Sequence, residues 1–560
     1  MYASTDIQLR PARTVMRLTR MGAAHQTRLS FMRVLLRRLQ RDAWSFERTL
    51  WSVDETGVGT ALYQARGPER TYTLVAFAHD LDPSMRSDRV IAEAWDATFT
   101  LFDGVPDAND IERLRAQVPL QEAGHISERE LTLARANRSV RLFEHVRDCL
   151  AAGEQPSAEA LTDVGYLMRT TAVYGSGKFG ALDRRFIADR EEFSAPFQVE
   201  LLSVFLFRAF TVDIVEHLAH VQAPHQAVRL SLERKRLLGV GNSTGLGMAP
   251  FFIKHPQLIH CWMLARETAL AKVRALPEVT PEQWHFAGTV LERMQADLPA
   301  WRTDHTQQQE RVRELESDAQ RLGAYMASSD AQSVARPWDA LYRYSEQNLS
   351  LEAQELTVSL LLECHPDLVD DLADNMSTDE GRFFAIDGQQ TVGELQDVLS
   401  QSYAYTREFD FQSRAHTARF WYVSEEKLEP RLGERFDEPG AEREHPLAIA
   451  RDIRALWTAL EAQEDDTLVA TFLQQHPEHR HVVRRAQRAP AFPYAEIQDN
   501  VIADVMQPID ILRCKLAFFG ATKFDPRSDR WVRITMFQNA PFPDNFSATY
   551  SDDWVYPDVA

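Results

Sequence analysis

The stretch GTALYQARGPERTYTLVAFAHDL (residues 59–81) places two runs of β-branched, aromatic and small apolar residues on either side of RGPER, which contains glycine and proline. Two such runs around a short turn are typical of a β-hairpin. Further along the chain, ATFTLF (97–102) has the composition of another strand. The sequence therefore predicts a small antiparallel sheet in the N-terminal third, over residues 57–103.

Helical patterns surround this predicted sheet. Apolar residues recur at spacings of three and four over long stretches, which favours helices. DRWVRITMFQNAPFP (529–543) indicates a further strand near the C-terminus. We therefore expect an α+β fold that is predominantly α-helical. The expected helices are 25–50, 127–151, 157–172, 196–221, 257–275 and 280–327.

Changes of pattern divide the chain into a basic N-terminal arm or helix (1–41), an α/β segment with the hairpin (42–108), a helical core with glycine-rich loops (109–375) and a mixed α/β C-terminal region (376–560). The first segment contains nine arginines and one acid, Asp6. It has the composition of a transit peptide, of an arm for nucleic acid or anionic lipid, or of an arm that docks on an acidic body. The third interpretation fits best, because the rest of the chain is strongly acidic.

The composition limits the class of protein. Hydrophobic residues make up 44% of the 560 residues and charged residues 26%, as in globular proteins. The net charge of −20 makes nucleic acid an unfavourable partner, because binding a polyanion requires a positive surface. Four scattered cysteines without a CxxC pair indicate reduced thiols and predict a cytoplasmic protein. Charged residues interrupt the most apolar stretch (197–219), so we expect a buried helix and no membrane span.

Glycines concentrate in KRLLGVGNSTGLGMAPFFIKHP (235–256), where Gly239, Gly241 and Gly245 flank Asn242, Ser243 and Thr244. Glycine lets main-chain N–H groups approach a ligand closely. If a helix began near Thr244, those groups and the helix dipole would form an anion site. The dinucleotide fingerprint GxGxxG would need glycine at 244, and the upstream region is predicted to be helical, so a Rossmann unit is not expected. The simpler interpretation is a tight connection between two helices.

Two further stretches combine glycine, a hydroxyl group and cations. RTTAVYGSGKFGALDRRF (169–186) contains Gly175, Ser176, Gly177, Lys178 and Arg184, and AFFGATKFDPRSDRW (517–531) contains Lys523. Main-chain donors with Lys or Arg suit phosphate or carboxylate. We hypothesise that the three stretches converge on one site, in which Asp183 or Asp525 is the candidate acid or base.

The leading functional interpretation is a cytoplasmic enzyme that binds an anionic small molecule or cofactor at these glycine-rich loops. The reaction and the cofactor are not identified by the pattern, and a homo-oligomer is a further expectation. His217 and His220 lie three residues apart, yet HxxH without a third ligand is a weak metal signal, so no metal site is predicted. The alternative function is a non-catalytic helical scaffold with a basic N-terminal arm.

Overall fold

The computed structural model combines one large mixed sheet with many helices and confirms the predicted α+β class, with helix predominating. The structure describes residues 7–85, 94–120, 127–170, 187, 189–245, 256–301, 306–376, 385–410, 420–424, 427–433, 442–446, 449–498, 508–520, 531–546 and 552–555. The strands, in chain order, are β1 (Ser45–Val53), β2 (Gly59–Arg66), β3 (Thr71–Ala78), β4 (Ala97–Asp103), β5 (Ala134–Arg138), β6 (Tyr166–Thr170), β7 (Gly239–Gly245), β8 (Phe420–Ser424), β9 (Lys427–Gly433), β10 (Glu442–Pro446) and β11 (Trp531–Met536).

Two helices match their predictions closely: Gln198–Gln222 matches the helix predicted over 196–221, and Pro256–Arg274 matches the one predicted over 257–275. The helix predicted over 280–327 is present as two helices, Pro281–Asp297 and Thr306–Met326. In chain order the helices are α1 (Ala12–Val15), α2 (Leu18–Met21), α3 (Phe31–Arg41), α4 (Ala108–Gln117), α5 (Phe143–Ala151), α6 (Ala158–Val164), α7 (Gln198–Gln222), α8 (Leu232–Arg236), α9 (Pro256–Arg274), α10 (Pro281–Asp297), α11 (Thr306–Met326), α12 (Ser329–Ser333), α13 (Pro337–Asn348), α14 (Leu351–Glu363), α15 (Pro366–Val369), α16 (Val392–Ser402), α17 (Ile449–Leu460), α18 (Val469–Gln475), α19 (Arg480–Arg488) and α20 (Pro508–Phe519).

Eight strands form the large sheet in the order β1-β2-β3-β4-β5-β6-β7-β11. Neighbouring strands from β1 to β6 are antiparallel, whereas β6 and β7 are parallel. Because α7 and α8 lie between β6 and β7 in the sequence, this part of the sheet is a βαβ unit. A second sheet has three antiparallel strands in the order β10-β8-β9.

Strand β11 runs antiparallel to β7. The main-chain N–H of Asn539 donates to the carbonyl of Arg236 at 2.6 Å, just beyond the ends of the two strands. A Cβ atom at Gly239 would lie 2.3 Å from the carbonyl oxygen of Met536. Higher residue numbers in β7 therefore lie beside lower residue numbers in β11, so that β11 begins beside the end of β7.

The sheet is larger than the small antiparallel sheet that the sequence predicted, and it is mixed. The predicted hairpin is present as β2 and β3, and β4 extends it. However, β1 begins within the last part of the helix predicted over 25–50 and extends beyond it, and β5 and β6 lie inside the helices predicted over 127–151 and 157–172. β5 and β6 have only five residues each and are buried at every position, their arginines included, so neither offers a strand pattern long enough to stand out against the helical periodicity around it.

The chain forms two compact units. The sheet unit comprises His25–Thr244, Phe286–Asp304 and Lys515–Ala560, and the helical unit comprises Met1–Ala24, Gly245–His285 and His305–Cys514. Each unit is therefore assembled from segments that are distant in sequence. The division into four segments at 41, 108 and 375 stays a prediction.

Helix α7 covers one face of the sheet in the sheet unit. The ring of Phe207 stacks on Phe99 of β4, with 4.2 Å between ring centroids. Phe102, three residues along β4, faces the opposite side and packs with Leu114 of α4. Most residues of α7 are buried, as predicted for residues 197–219. Within the described part of the chain, no helix is long and apolar enough to cross a membrane.

Arginines of the predicted N-terminal arm bind carboxylates within each unit. In the helical unit, Arg10 donates to Glu267 at 2.8 Å and to Glu355 at 2.9 Å, and all three side chains are buried. In the sheet unit, Arg33 donates to Asp552 at 2.8 Å. Such ion pairs are expected if the N-terminal arm docks on acidic residues of the same chain.

Candidate functional site

The sheet unit brings the ends of three neighbouring strands to one edge of the large sheet. β6 and β7 are parallel, so both end at this edge, and the antiparallel β11 begins there. We call it the carboxyl edge. In open sheets with parallel strands, ligands bind beyond the carboxyl ends of those strands. Here β6 and β7 are such a parallel pair.

Two helices begin near the carboxyl edge. Ser203, in the second turn of α7, lies 3.1 Å from Thr132, which precedes β5 at this edge, whereas His217 near the other end of α7 bonds to Asp54 after β1. α3 begins beside α7, because the Gln198 amide donates to the carbonyl of Phe31 at 3.4 Å. Helix N-termini carry unpaired N–H groups and a partial positive charge, so they favour anions.

Among the residues of the predicted site, Asn242 of β7 has the most informative surroundings. Its side chain is 1% exposed. Among the described residues, neither its Oδ1 nor its Nδ2 atom has a hydrogen-bond partner. Buried polar groups are nearly always paired, and an unpaired group costs about 1–3 kcal/mol. Within the part of the chain that the structure describes, Asn242 therefore has an unused acceptor and an unused donor.

Two more buried polar groups in the N-terminal turns of these helices lack partners within the described chain. The hydroxyl of Ser30 precedes α3 and does not cap it. The Oε1 atom of Gln198, in the first turn of α7, accepts no hydrogen bond. Gly520 approaches Ser30 so closely that a Cβ atom there would lie 3.0 Å from the Ser30 hydroxyl. No sequence motif marks Ser30 or Gln198, and sequence reasoning missed both.

Two basic side chains are also buried in the sheet unit. Arg169 of β6 is fully buried, and its Cγ would lie 2.6 Å from a Cβ atom at Gly241 of β7. Lys515 of α20 is fully buried as well, but burial lowers the pKa of its side chain well below the ordinary value, which favours the neutral amine. Arg169 is therefore the group that suits an anion here, because a guanidinium in a desolvated setting binds anions strongly. The chemistry of this region suits a negatively charged ligand with hydrogen-bonding groups.

The structure places Gly239, Gly241, Asn242, Ser243, Thr244 and Gly245 in strand β7. The expected tight connection between helices is therefore wrong. The next described helix, α9, begins at Pro256, and residues 246–255 lie outside the described residues. Close packing explains two of the glycines, because a Cβ atom at Gly239 or Gly241 would clash with the neighbouring strands. The region directly upstream of β7 is helical as predicted, because α7 and α8 precede it. A βαβ unit is nevertheless present, in which the glycine stretch is the second strand and not the turn that follows the first strand.

The other predicted site residues lie outside the described residues, so their roles in ligand binding and catalysis stay predictions. These residues are Gly175, Ser176, Gly177, Lys178, Asp183, Arg184, Lys523 and Asp525. For the rival metal site, His217 instead bonds to the carbonyl of Asp54 and stacks edge-on against Trp51. Over the described ranges, no group of histidine, cysteine, aspartate and glutamate is arranged to hold a metal ion.

His25, in the buried segment that leads to α3, provides a test of this region by pH. Burial lowers the pKa of His25 from 6.5 to about 3. The neutral imidazole therefore stabilises the fold fully above pH 6.5, and this contribution is lost as the pH falls toward 3. The expected slope is about 1.4 kcal/mol per pH unit for one proton.

The measurement is the free energy of unfolding between pH 7 and pH 5 by denaturant titration. We expect His25→Gln to reduce the slope by about one proton. His225→Gln, at an exposed position, is the control and is expected to keep the wild-type slope. Equal slopes in the wild type and in His25→Gln would show that His25 is protonated in the folded protein.

Comparison of the chain with protein-family models, with curated proteins and with solved structures found no match.

Proposed function

We propose that the protein is a cytoplasmic enzyme that binds an anionic small molecule or cofactor, bearing phosphate or carboxylate, at the carboxyl edge. The observation that carries the proposal is the buried side chain of Asn242, whose acceptor and donor have no partner in the described structure. A ligand at the edge would satisfy both groups. The four cysteines are free thiols, which supports a reducing compartment.

The surroundings of Asn242 support an anionic ligand. Arg169 is buried on the adjacent strand, and α3 and α7 begin at this edge. The predicted stretch with Lys178 directly follows β6 in the sequence, and the one with Lys523 directly precedes β11. Both stretches are thus adjacent in sequence to strand ends of this edge. In this proposal their cations neutralise the ligand, and Asp183 or Asp525 transfers a proton.

A thermal-shift panel of phosphates, nucleotides and carboxylic acids tests the proposal. A ligand that binds only the folded protein raises the unfolding midpoint. We expect at least one member of the panel to raise the midpoint of the wild type and to have no effect on Asn242→Leu. Because leucine removes two polar groups that have no partner among the described residues and keeps a similar volume, Asn242→Leu itself is expected to be as stable as the wild type or more stable by about 1–3 kcal/mol.

The matched control is Asn137→Leu on β5. Asn137 is also 1% exposed, but its Oδ1 accepts from the main chain of Asp96 at 3.0 Å. We expect this variant to lose about 1–3 kcal/mol of stability and to keep the ligand response. Equal destabilisation of both variants would make Asn242 a structural residue. No response of the wild type to any ligand would contradict the enzyme proposal and leave the scaffold as the better function.

A further inference from the structure

Three arginines of the sheet unit surround the carboxylate of Asp552, which begins the short turn Asp552–Val555. Arg33 donates through Nε at 3.2 Å and through Nη2 at 2.8 Å, one to each carboxylate oxygen. Nη1 of Arg37 lies 3.3 Å from Oδ2, and Nη2 of Arg28 lies 3.1 Å from the same oxygen. We call Arg28, Arg33 and Arg37 the arginine socket.

The arginine socket is held in place by the fold around it. Arg33 and Arg37 lie one turn apart on α3, and the Arg33 side chain is fully buried. Arg37 also donates to the main-chain carbonyl of Arg28, which fixes the Arg37 side chain against the segment that carries Arg28. A guanidinium fork matches the oxygens of phosphate as well as those of a carboxylate. A tetrahedral oxyanion would offer more oxygens to this socket than the two of Asp552.

The bound carboxylate is charged and reaches solvent. Burial would raise the pKa of Asp552, but Arg33 and Arg37 hold it well below the usual range. Its side chain is 20% exposed, compared with 0% for Glu267, the carboxylate bound by Arg10 and Arg266 in the helical unit. The socket of Asp552 is therefore accessible from water, whereas the site of Glu267 is closed.

We propose that the arginine socket is an oxyanion-binding site for phosphate or a phosphate monoester, and that Asp552 occupies it in cis as a competing ligand. Displacement of the carboxylate by such an anion frees the turn Asp552–Val555. This proposal concerns the socket alone and does not depend on the proposed function of the carboxyl edge.

Asp552→Ala in the full chain tests the proposal, with inorganic phosphate as the probe. At constant ionic strength, we expect the variant to unfold at a lower temperature than the wild type and phosphate to restore the midpoint with saturation. Phosphate is expected to bind the variant at least about tenfold more tightly than the wild type, because a tethered carboxylate competes at millimolar effective concentration or above. Chloride is expected to have no such effect.

Arg37→Gln combined with Asp552→Ala is expected to lose the response to phosphate, which assigns the binding to the socket. Glu267→Ala is the matched control: it also removes a carboxylate bound by two arginines, and its closed site is expected to give no rescue.

O-phosphoserine is tested beside phosphate, because a response to it identifies a monoester as ligand and a response to phosphate alone identifies the free ion. If Asp552→Ala fails to fold, Asp552→Asn replaces it. A midpoint that phosphate does not raise would overturn the proposal and make Asp552 a structural anchor.

Discussion

Replacing Glu355 with alanine is expected to lower the free energy of unfolding of the helical unit by about 3–5 kcal/mol. The Glu355 side chain is 1% exposed and accepts hydrogen bonds from Arg10 at 2.9 Å and from Arg20 at 3.2 Å. Its second oxygen lies 3.7 Å from Arg266. Removing the carboxylate leaves guanidinium charges in the interior without this partner. Denaturant titration followed by tryptophan fluorescence measures the loss.

Glu461→Ala is the control for this prediction in the same unit. Glu461 pairs with Arg407 at 3.6 Å, but the two side chains are 62% and 53% exposed. Exposed ion pairs contribute about 0–1 kcal/mol, so we expect almost no change. If Glu355→Ala were as mild as Glu461→Ala, the interior of the helical unit would have to admit water to the freed arginines.

Replacing Gly239 with alanine is expected to destabilise the sheet unit by about 3 kcal/mol or more. The added Cβ would lie 2.3 Å from the carbonyl oxygen of Met536 and 2.6 Å from the methyl group of Thr535. The closest of these atoms belongs to the main chain, which a rotamer change cannot move. We therefore expect β11 to separate from β7, detectable by faster amide exchange in β11 and by a lower unfolding midpoint.

Gly288→Ala introduces the same methyl group where there is room for it. No heavy atom lies within 4 Å of a Cβ atom at Gly288, which is in the interior of α10. Alanine is favoured over glycine in a helix, so we expect a gain of about 0.5–1 kcal/mol. The two substitutions thus have opposite expected signs. A tolerated Gly239→Ala would mean that the strands are not as close as the structure has them.

Regular segments of the fold could be predicted from the sequence, and segments defined by distant partners could not. Helices α7 and α9 are long apolar stretches, and the hairpin of β2 and β3 has a turn sequence of its own. Strand β7 consists mainly of glycine and small polar residues and has no strand pattern. It is a strand because β6 and β11 supply its hydrogen-bond partners, and neither partner is adjacent in sequence.

The sequence located part of the candidate site and missed the buried groups that accompany it. Glycine density led to Asn242, although the sequence assigned the ligand contacts there to main-chain N–H groups and not to the buried amide. The burial of Arg169 and Arg33 runs against the usual exposure of arginine, so composition could not predict it. Ser30 and Gln198 are ordinary polar residues in sequence, and only the packed structure shows that the Ser30 hydroxyl and the Gln198 Oε1 atom have no partner among the described residues.

The pairing of β7 with β11 also affects how the protein is made. Residues 246–530 must leave the ribosome after β7 before β11 can appear. At roughly 5–20 residues per second, translation of this interval takes on the order of ten seconds or more. During that time the edge of β7 has no neighbouring strand, and open strand edges attract other chains. Completion of the sheet is therefore a late event in biosynthesis, and until then this strand edge is open to pairing with other chains.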